Sequence, residues 1–214
     1  MSPQRPRLFV LAGVNGAGKS SLGGFHLERH GIGPDEWFNP DAAARMLVDA
    51  GLPPAEANAE AWHIGKDLIE AAIADRRPHA FETTLGGNTI PALVRAACRT
   101  HAVRMWFCGL DKPERHLRRV RERVARGGHD IPEAKIRARY ESAVVNLISL
   151  MPELAELKVF DNSADAMDGT IPDPVLVLHL EQGRVRFPTR HDDLAATPPW
   201  AMPIVEAALE LQER

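Results

Sequence analysis

The sequence predicts an α/β fold: a doubly wound, mainly parallel sheet of about five strands, with a small C-terminal hairpin plus helix. Three observations carry this expectation. Apolar runs such as RLFVLA and AVRMWFCGL have no polar alternation, as in strands covered on both faces of a parallel sheet. Between such runs, apolar residues recur at steps of three and four, the mark of helical connections. Near the end, VLVLHLEQGRVRF is apolar on both sides of Gln182–Gly183, which reads as an antiparallel turn.

Taken in order, RLFVLA (7–12) is a strand, and a helix follows from Lys19 to about His30. WFNPD (37–41) is a short extended piece, and DAAARMLVDAGL reads as a helix stopped by Gly51. From Pro53 to Arg77, the positions Ala57, Ala61, Ile64, Leu68 and Ala72 trace the apolar stripe of a long helix. HAFETT (79–84) is a strand, NTIPALVRAACRTH a helix, and AVRMWFCGL (102–110) a buried strand. Leu117, Val120 and Val124 mark a helix ended by Gly127 and Gly128; Ile136, Tyr140, Val144, Leu147 and Met151 mark the next. LKVFDNS (157–163) is a further strand, and PIVEAALELQ the last helix.

Composition sets outer limits. A chain of 214 residues suits one domain, with a lid region at about 112–140 and a C-terminal extension from about 164. Net charge is -3, which argues against general attraction to nucleic acid. Two cysteines, Cys98 and Cys108, cannot build a metal cluster or a disulfide framework, and Cys108 reads as a buried structural thiol. The apolar stretch LFVLAGV ends at Asn15, too short to cross a bilayer, so a cytoplasmic protein is expected.

In a parallel sheet ligands bind at the carboxyl ends of the strands, which directs attention to GVNGAGKS, NPD, FETT, GLDKP and DNS. GVNGAGKS fits the phosphate-binding pattern G-x-x-x-x-G-K-[ST] through Gly13, Gly18, Lys19 and Ser20. Its glycines let successive N–H groups curl into an anion nest at a helix start. Gly13, Asn15, Gly16, Ala17, Gly18, Lys19, Ser20 and Ser21 are therefore the expected nucleotide contacts. Lys19 would reach the β- and γ-phosphates, and Ser20 would bind Mg²⁺. A guanine-reading N-K-x-D is absent, and so is a hydrophobic run ending in Asp-Glu of the AAA-ATPase kind.

Two carboxylates end neighbouring strand-like segments, Asp41 in NPD and Glu82 in FETT. A phosphotransferase needs one carboxylate to take the acceptor's proton, and another can position substrate. Asp41 also has the plainer reading of a helix N-cap. A glutamate inside an apolar strand is costly unless paired, so Glu82 is expected to have a partner. On the next helix Arg115, Arg119, Arg123 and Arg126 form one stripe that could close over phosphates. Arg118 and Arg126 each lie four residues from Glu122, leaving Arg119 and Arg123 as the candidates for chemistry. His129 and Arg139 follow beyond the Gly-Gly pair, and Asn162 ends the fifth strand, where a nucleoside kinase often holds adenine.

Together these motifs resemble the zeta-toxin family of P-loop kinases, in its compact chromosomal branch. The P-loop, NPD, FETTL, ERV–GGH-IP and RY–NL occur in that order between Arg7 and about Ser163. The resemblance implies a P-loop kinase fold, ATP, Mg²⁺, and transfer of the γ-phosphoryl group to a sugar hydroxyl of a nucleotide sugar such as UDP-N-acetylglucosamine. By position Asp41 resembles the family's base, Glu82 and Thr83 (with Thr84 beside them) its acceptor contacts, and Arg123 its lid arginine. The second lid arginine of the larger toxins falls near His129 here, with Arg126 or Arg139 as replacements. A separately encoded small antitoxin is the partner implied. Two other readings stay open: a kinase for an antibiotic or a nucleic-acid 5′-hydroxyl, and a nucleotide-binding switch without catalysis.

Overall fold

Five strands run parallel in the computed structural model, which describes residues 5–19, 22, 37–128, 130–165 and 172–213. They are β1 (Arg7–Ala12), β2 (Trp37–Phe38), β3 (His79–Thr83), β4 (Ala102–Gly109) and β5 (Glu156–Asp161). Strands β6 (Val175–Glu181) and β7 (Arg184–Phe187) add an antiparallel hairpin, so the order is β2-β3-β1-β4-β5-β6-β7. Gln182 and Gly183 at its tip both take positive φ, 49° and 72°, as a tight hairpin turn requires. The chain thus steps from β1 outward to β2 and β3 on one side, then to β4 and β5 on the other. The loops after β1, β3 and β4 diverge at that switch, and a crevice opens above them.

The helices with both ends among the described residues are α1 (Pro40–Asp49), α2 (Pro54–Asp75), α3 (Thr89–Ala97), α4 (Pro113–Val124), α5 (Glu133–Leu150), α6 (His191–Ala195) and α7 (Met202–Gln212). One sheet face, with Val10, Met105, Phe107 and Val159, packs on apolar residues of α3, α5 and α7. The other, with Phe9, Leu11, Trp106, Cys108 and Phe160, packs on Leu22. The helix expected from Lys19 to about His30 lies outside the described residues apart from Lys19 and Leu22.

Two expectations are corrected and one element is added. The extended piece at 37–41 pairs only at Trp37 and Phe38, because Asn39 caps a helix that begins with Pro40 at its first turn. The buried stripe of α2 is Ala57, Ala61, Gly65, Ile69 and Ala72, whereas Ile64 and Leu68 remain 36% and 38% exposed. Gly65 decides this, since its missing side chain is where the Phe38 ring sits; a Cβ there would stand 2.5 Å from Phe38 Cε1. A short helix at 191–195, unread in the sequence, precedes α7.

Gly65→Ala is expected to lower stability by about 1–3 kcal/mol through overpacking against Phe38, although alanine is the better helix former. Equilibrium unfolding in urea checks this; a variant as stable as the parent would contradict the contact.

Candidate active site

The GVNGAGKS loop begins where β1 ends, between the ends of β3 and β4. Gly13 N–H donates to the Thr83 carbonyl at 3.2 Å, and a Cβ at Gly13 (φ 143°) would stand 2.2 Å from the Cys108 carbonyl oxygen. Only glycine fits that close backbone approach. The loop's carbonyls are held from beneath. Asn15 O accepts from His116 Nδ1 at 2.8 Å, and Ala17 O accepts from Asn162 Nδ2 at 2.8 Å and Cys108 Sγ at 3.0 Å. These bonds fix the loop's backbone between β4, α4 and the residue after β5. Lys19 is half-buried and close enough for its charge to act on both Cys108 and His116. Ser20 and Ser21 lie outside the described residues.

His116 was not singled out in the sequence. It is 1% exposed, and burial drives its pKa down to about 4, so the ring is neutral at physiological pH. A carbonyl only accepts, so the proton of the neutral ring sits on Nδ1. Cys108 is buried as expected; burial pushes its thiol up to about 12 and keeps its S–H as a donor.

Across the crevice, Asn39 organises the acidic side. Its Oδ1 accepts from the N–H groups of Asp41 (2.9 Å) and Ala42 (3.1 Å), and its Nδ2 donates to Glu82 Oε1 at 3.0 Å. The cap of α1 is therefore Asn39 and not Asp41, which replaces the plainer reading of Asp41. Freed from capping, the Asp41 carboxylate meets Arg123 Nη1 at 2.8 Å, an ion pair between α1 and α4. Glu82 is 7% exposed and has the partner its position demanded. Thr83 Oγ1 accepts from Leu85 N–H at 3.0 Å, and Thr84 is half-buried beside it.

The arginine stripe is divided among different partners. Arg115 pairs with Asp111 at 2.7 Å and Asp165 at 2.6 Å, and hydrogen bonding to Arg115 is the main cause that holds both carboxyls below their usual range. Arg118 pairs with Asp165 and, at 3.8 Å, with Glu122. Arg126 instead donates to the Glu122 backbone carbonyl at 3.1 Å, because it lies just past the end of α4. Arg119 donates to the carbonyls of Asn162 (2.9 Å) and Ala164 (3.1 Å). Arg139, from α5, donates to Asn15 Oδ1 at 2.8 Å; burial lowers its pKa while the nearby charge of Asp41 raises it. Two further α5 residues hold the loop after β3: Ser142 donates to Gly86 O and Asn146 to Leu85 O. His129 lies outside the described residues.

Beside the Asp41–Arg123 pair a groove of about 300 Å³ runs between α1, the start of α2 and the turn after α4. Asp41, Arg45, Val48, Pro54, Asn58 and Gly128 are among its walls. Its size is at the lower end of small-molecule sites, roughly 300–1,000 Å³.

Comparison with known proteins matches residues 8–143 to a family described as an AAA domain, AAA_33. The chain belongs to the AAA_33 family. An uncharacterized protein of Haemophilus influenzae (strain ATCC 51907 / DSM 11121 / KW20 / Rd) is 31% identical over 149 residues, 64% of this chain and 99% of that protein. Among solved structures, the AvrRxo1-ORF1:-ORF2 complex is similar with a TM-score of 0.66 at 15% identity, over 97% of this chain and 71% of that one. The same complex solved with ATP gives 0.64 at 17% identity, over 86% and 60%. The PezAT chromosomal toxin-antitoxin system of Streptococcus pneumoniae gives 0.50 at 12% identity, over 100% of this chain and 89% of that one. These likenesses establish the P-loop kinase-like α/β fold of this AAA_33 chain. Its central strands β3 and β4 exit through Glu82-Thr83 and Cys108-Gly109, without the Asp-Glu pair of AAA ATPases. Among the described residues no helix is long and apolar enough to cross a membrane, and no cluster of His, Cys, Asp and Glu could hold a metal ion.

Asn39→Ala removes the α1 cap and one donor to Glu82, with an expected loss of about 1–2 kcal/mol. Asn39→Asp keeps a capping oxygen but sets a carboxylate against Glu82, so its loss is expected to grow with rising pH. Thermal melts of both variants at two pH values check this; equal behaviour would remove the bridging role.

Proposed function

We propose that this chain is an ATP-dependent kinase that transfers the γ-phosphoryl group to a hydroxyl of a nucleotide sugar, such as UDP-N-acetylglucosamine. The observation that carries the reading is the Asp41 carboxylate, released from capping by Asn39 and met by Arg123 across the crevice from the glycine loop. A kinase needs this carboxylate, whereas a nucleotide-binding switch should tolerate Asn in its place. The residues fit ATP: glycines stand where a Cβ would collide with backbone, and half-buried Lys19 follows them. The resemblance in fold to a complex solved with ATP supports the nucleotide, and the motif order supports the acceptor class.

In this reading residues 1–214 form one unit, with 112–140 as lid and 164–214 as extension. Gly13, Asn15, Gly16, Ala17, Gly18, Lys19, Ser20 and Ser21 hold the phosphates, and Asn162 borders the nucleoside. Mg²⁺ arriving with ATP supplies charge neutralisation at the phosphate oxygens, with Ser20 as the residue expected to hold it. The acceptor occupies the groove beside Asp41, and Glu82, Thr83, Thr84, His129 and Arg139 are the residues proposed to contact it. Asp41 takes the hydroxyl proton as the acceptor oxygen bonds to the γ-phosphorus and the bond to the β-phosphate oxygen breaks, releasing ADP. Arg123 and Arg119 meet the charge on the transferring group, and Arg123 exchanges the Asp41 carboxylate for phosphate oxygen as the lid closes. A small antitoxin encoded elsewhere is the partner proposed, since the PezAT likeness is to a toxin-antitoxin system, and the cytoplasm is its proposed location.

The test is incubation with ATP and a panel of nucleotide sugars, simple sugars, aminoglycosides and 5′-hydroxyl oligonucleotides, followed by mass measurement of each acceptor. A gain of one phosphoryl group on a nucleotide sugar is expected; a gain only on an oligonucleotide would overturn the acceptor class. On the acceptor so found, Asp41→Asn is expected to lose ~10²-fold or more in turnover while retaining ATP binding. Its melting temperature should hardly move, because the cap belongs to Asn39 and a half-exposed ion pair contributes under about 1 kcal/mol. Parental turnover in that variant would refute the base.

The arginines give an independent check. Arg123→Ala should slow transfer by ~10³-fold, whereas Arg118→Ala, whose partners are Asp165 and Glu122, should stay close to the parent. Equal losses would contradict the lid assignment.

A further inference from the structure

From the C-terminal segment, the Trp200 indole lies against the ends of β4 and β5. Gly109 ends β4, and a Cβ there would stand 2.2–2.8 Å from three ring atoms of Trp200, so the indole lies against the bare strand end. Trp200 Nε1–H donates to Asp161 Oδ1 at 3.0 Å. The same oxygen accepts from the Ser163 hydroxyl, whose oxygen in turn accepts from Asp111 N–H at 2.8 Å. Between these residues stands Asn162. Its backbone N–H donates to Gly109 O at 3.0 Å, its carbonyl accepts from Arg119, and its side-chain amide donates to Ala17 O. Gly18 is packed so closely on that amide that a Cβ would come within 2.4 Å of Nδ2. The shape of the loop at Ala17–Gly18 therefore depends on where Asn162 stands, and Asn162 is held by Gly109 and Arg119 and flanked by the bonded pair Asp161 and Ser163.

We infer that Trp200 and Asp161 are positioning residues for nucleotide binding, so that the segment after β5, outside the family match at 8–143, completes the phosphate site. Trp200 holds Asp161, Asp161 holds Ser163, and the strand end so stiffened presents Asn162 to the Ala17 carbonyl. Neither Trp200 nor Asp161 is assigned to the phosphates. The inference rests on the reading that the glycine loop holds ATP.

The experiment is calorimetric titration of the full-length chain with ATP and Mg²⁺, which needs no acceptor. Trp200→Phe keeps a ring against Gly109 and removes only the N–H donor; it is expected to weaken ATP roughly tenfold, as for a lost hydrogen bond to a charged group. Asp161→Asn keeps the accepting oxygen and should bind ATP within about twofold of the parent, a rescue that bulk destabilisation would not produce. Ser163→Ala cuts the same relay outside the core and should weaken ATP as Trp200→Phe does, and the two together no more than either alone. It also decides the matter should Trp200→Phe fail to fold. Parental affinity in Trp200→Phe or in Ser163→Ala, beside loss of binding in Lys19→Ala, would overturn this inference and leave the kinase reading standing. Parental affinity in Lys19→Ala would overturn the glycine-loop reading and this inference with it.

Discussion

A loop that turns its N–H groups toward an anion turns carbonyls the other way, and a buried carbonyl without a donor is costly. Much of this molecule's architecture answers that constraint. Asn15 O takes its donor from His116, Ala17 O from Asn162 and Cys108, and Val14 O from the Ala17 N–H within the loop. The donors come from α4, from the end of β4 and from the residue after β5, so three separate connections must arrive together before the loop has its shape. The chemistry of each donor follows from its burial. A histidine there works because Nδ1 carries a proton, and a cysteine works because it stays a thiol.

The opposite wall obeys a different logic, in which charges decide positions. Asn39 serves both α1 and Glu82 and thereby leaves Asp41 to Arg123. Arg115 is bound between Asp111 and Asp165, so a residue on the same stripe as Arg123 has a tethering duty at the start of α4. Arginines that look equivalent along one helix face are thus sorted by what the neighbouring strand ends present to them. A stripe is a statement about direction; the partners determine use.

That difference explains what the sequence made legible. The glycine loop was readable because all its requirements lie within eight consecutive residues, and the strands because both faces of each are apolar. The hairpin at Gln182–Gly183 was equally local. Asp41 could be picked out, and the local signal for its release from capping was Pro40, which as the first helical residue makes Asn39 the cap. His116 and Trp200 left no local signal: each matters through a partner about a hundred, or about forty, positions distant. Ile64 and Leu68 fit the helical period but not the buried face, because the period alone does not reveal that Phe38 needs the space at Gly65. A glycine within a helix stripe is the signal that sequence reading could weigh more heavily.

The two rims of the sheet are unlike its centre. On one side the outermost strand is the two-residue pair Trp37–Phe38; on the other it is Arg184–Phe187, four residues in which both arginines face solvent. Among the described residues both margins are short, and the Arg184–Phe187 one is charged, so they offer little free backbone for an incoming strand. The same margins guard against self-templated stacking, so at high concentration this chain should resist fibril growth even though its central strands are strongly apolar.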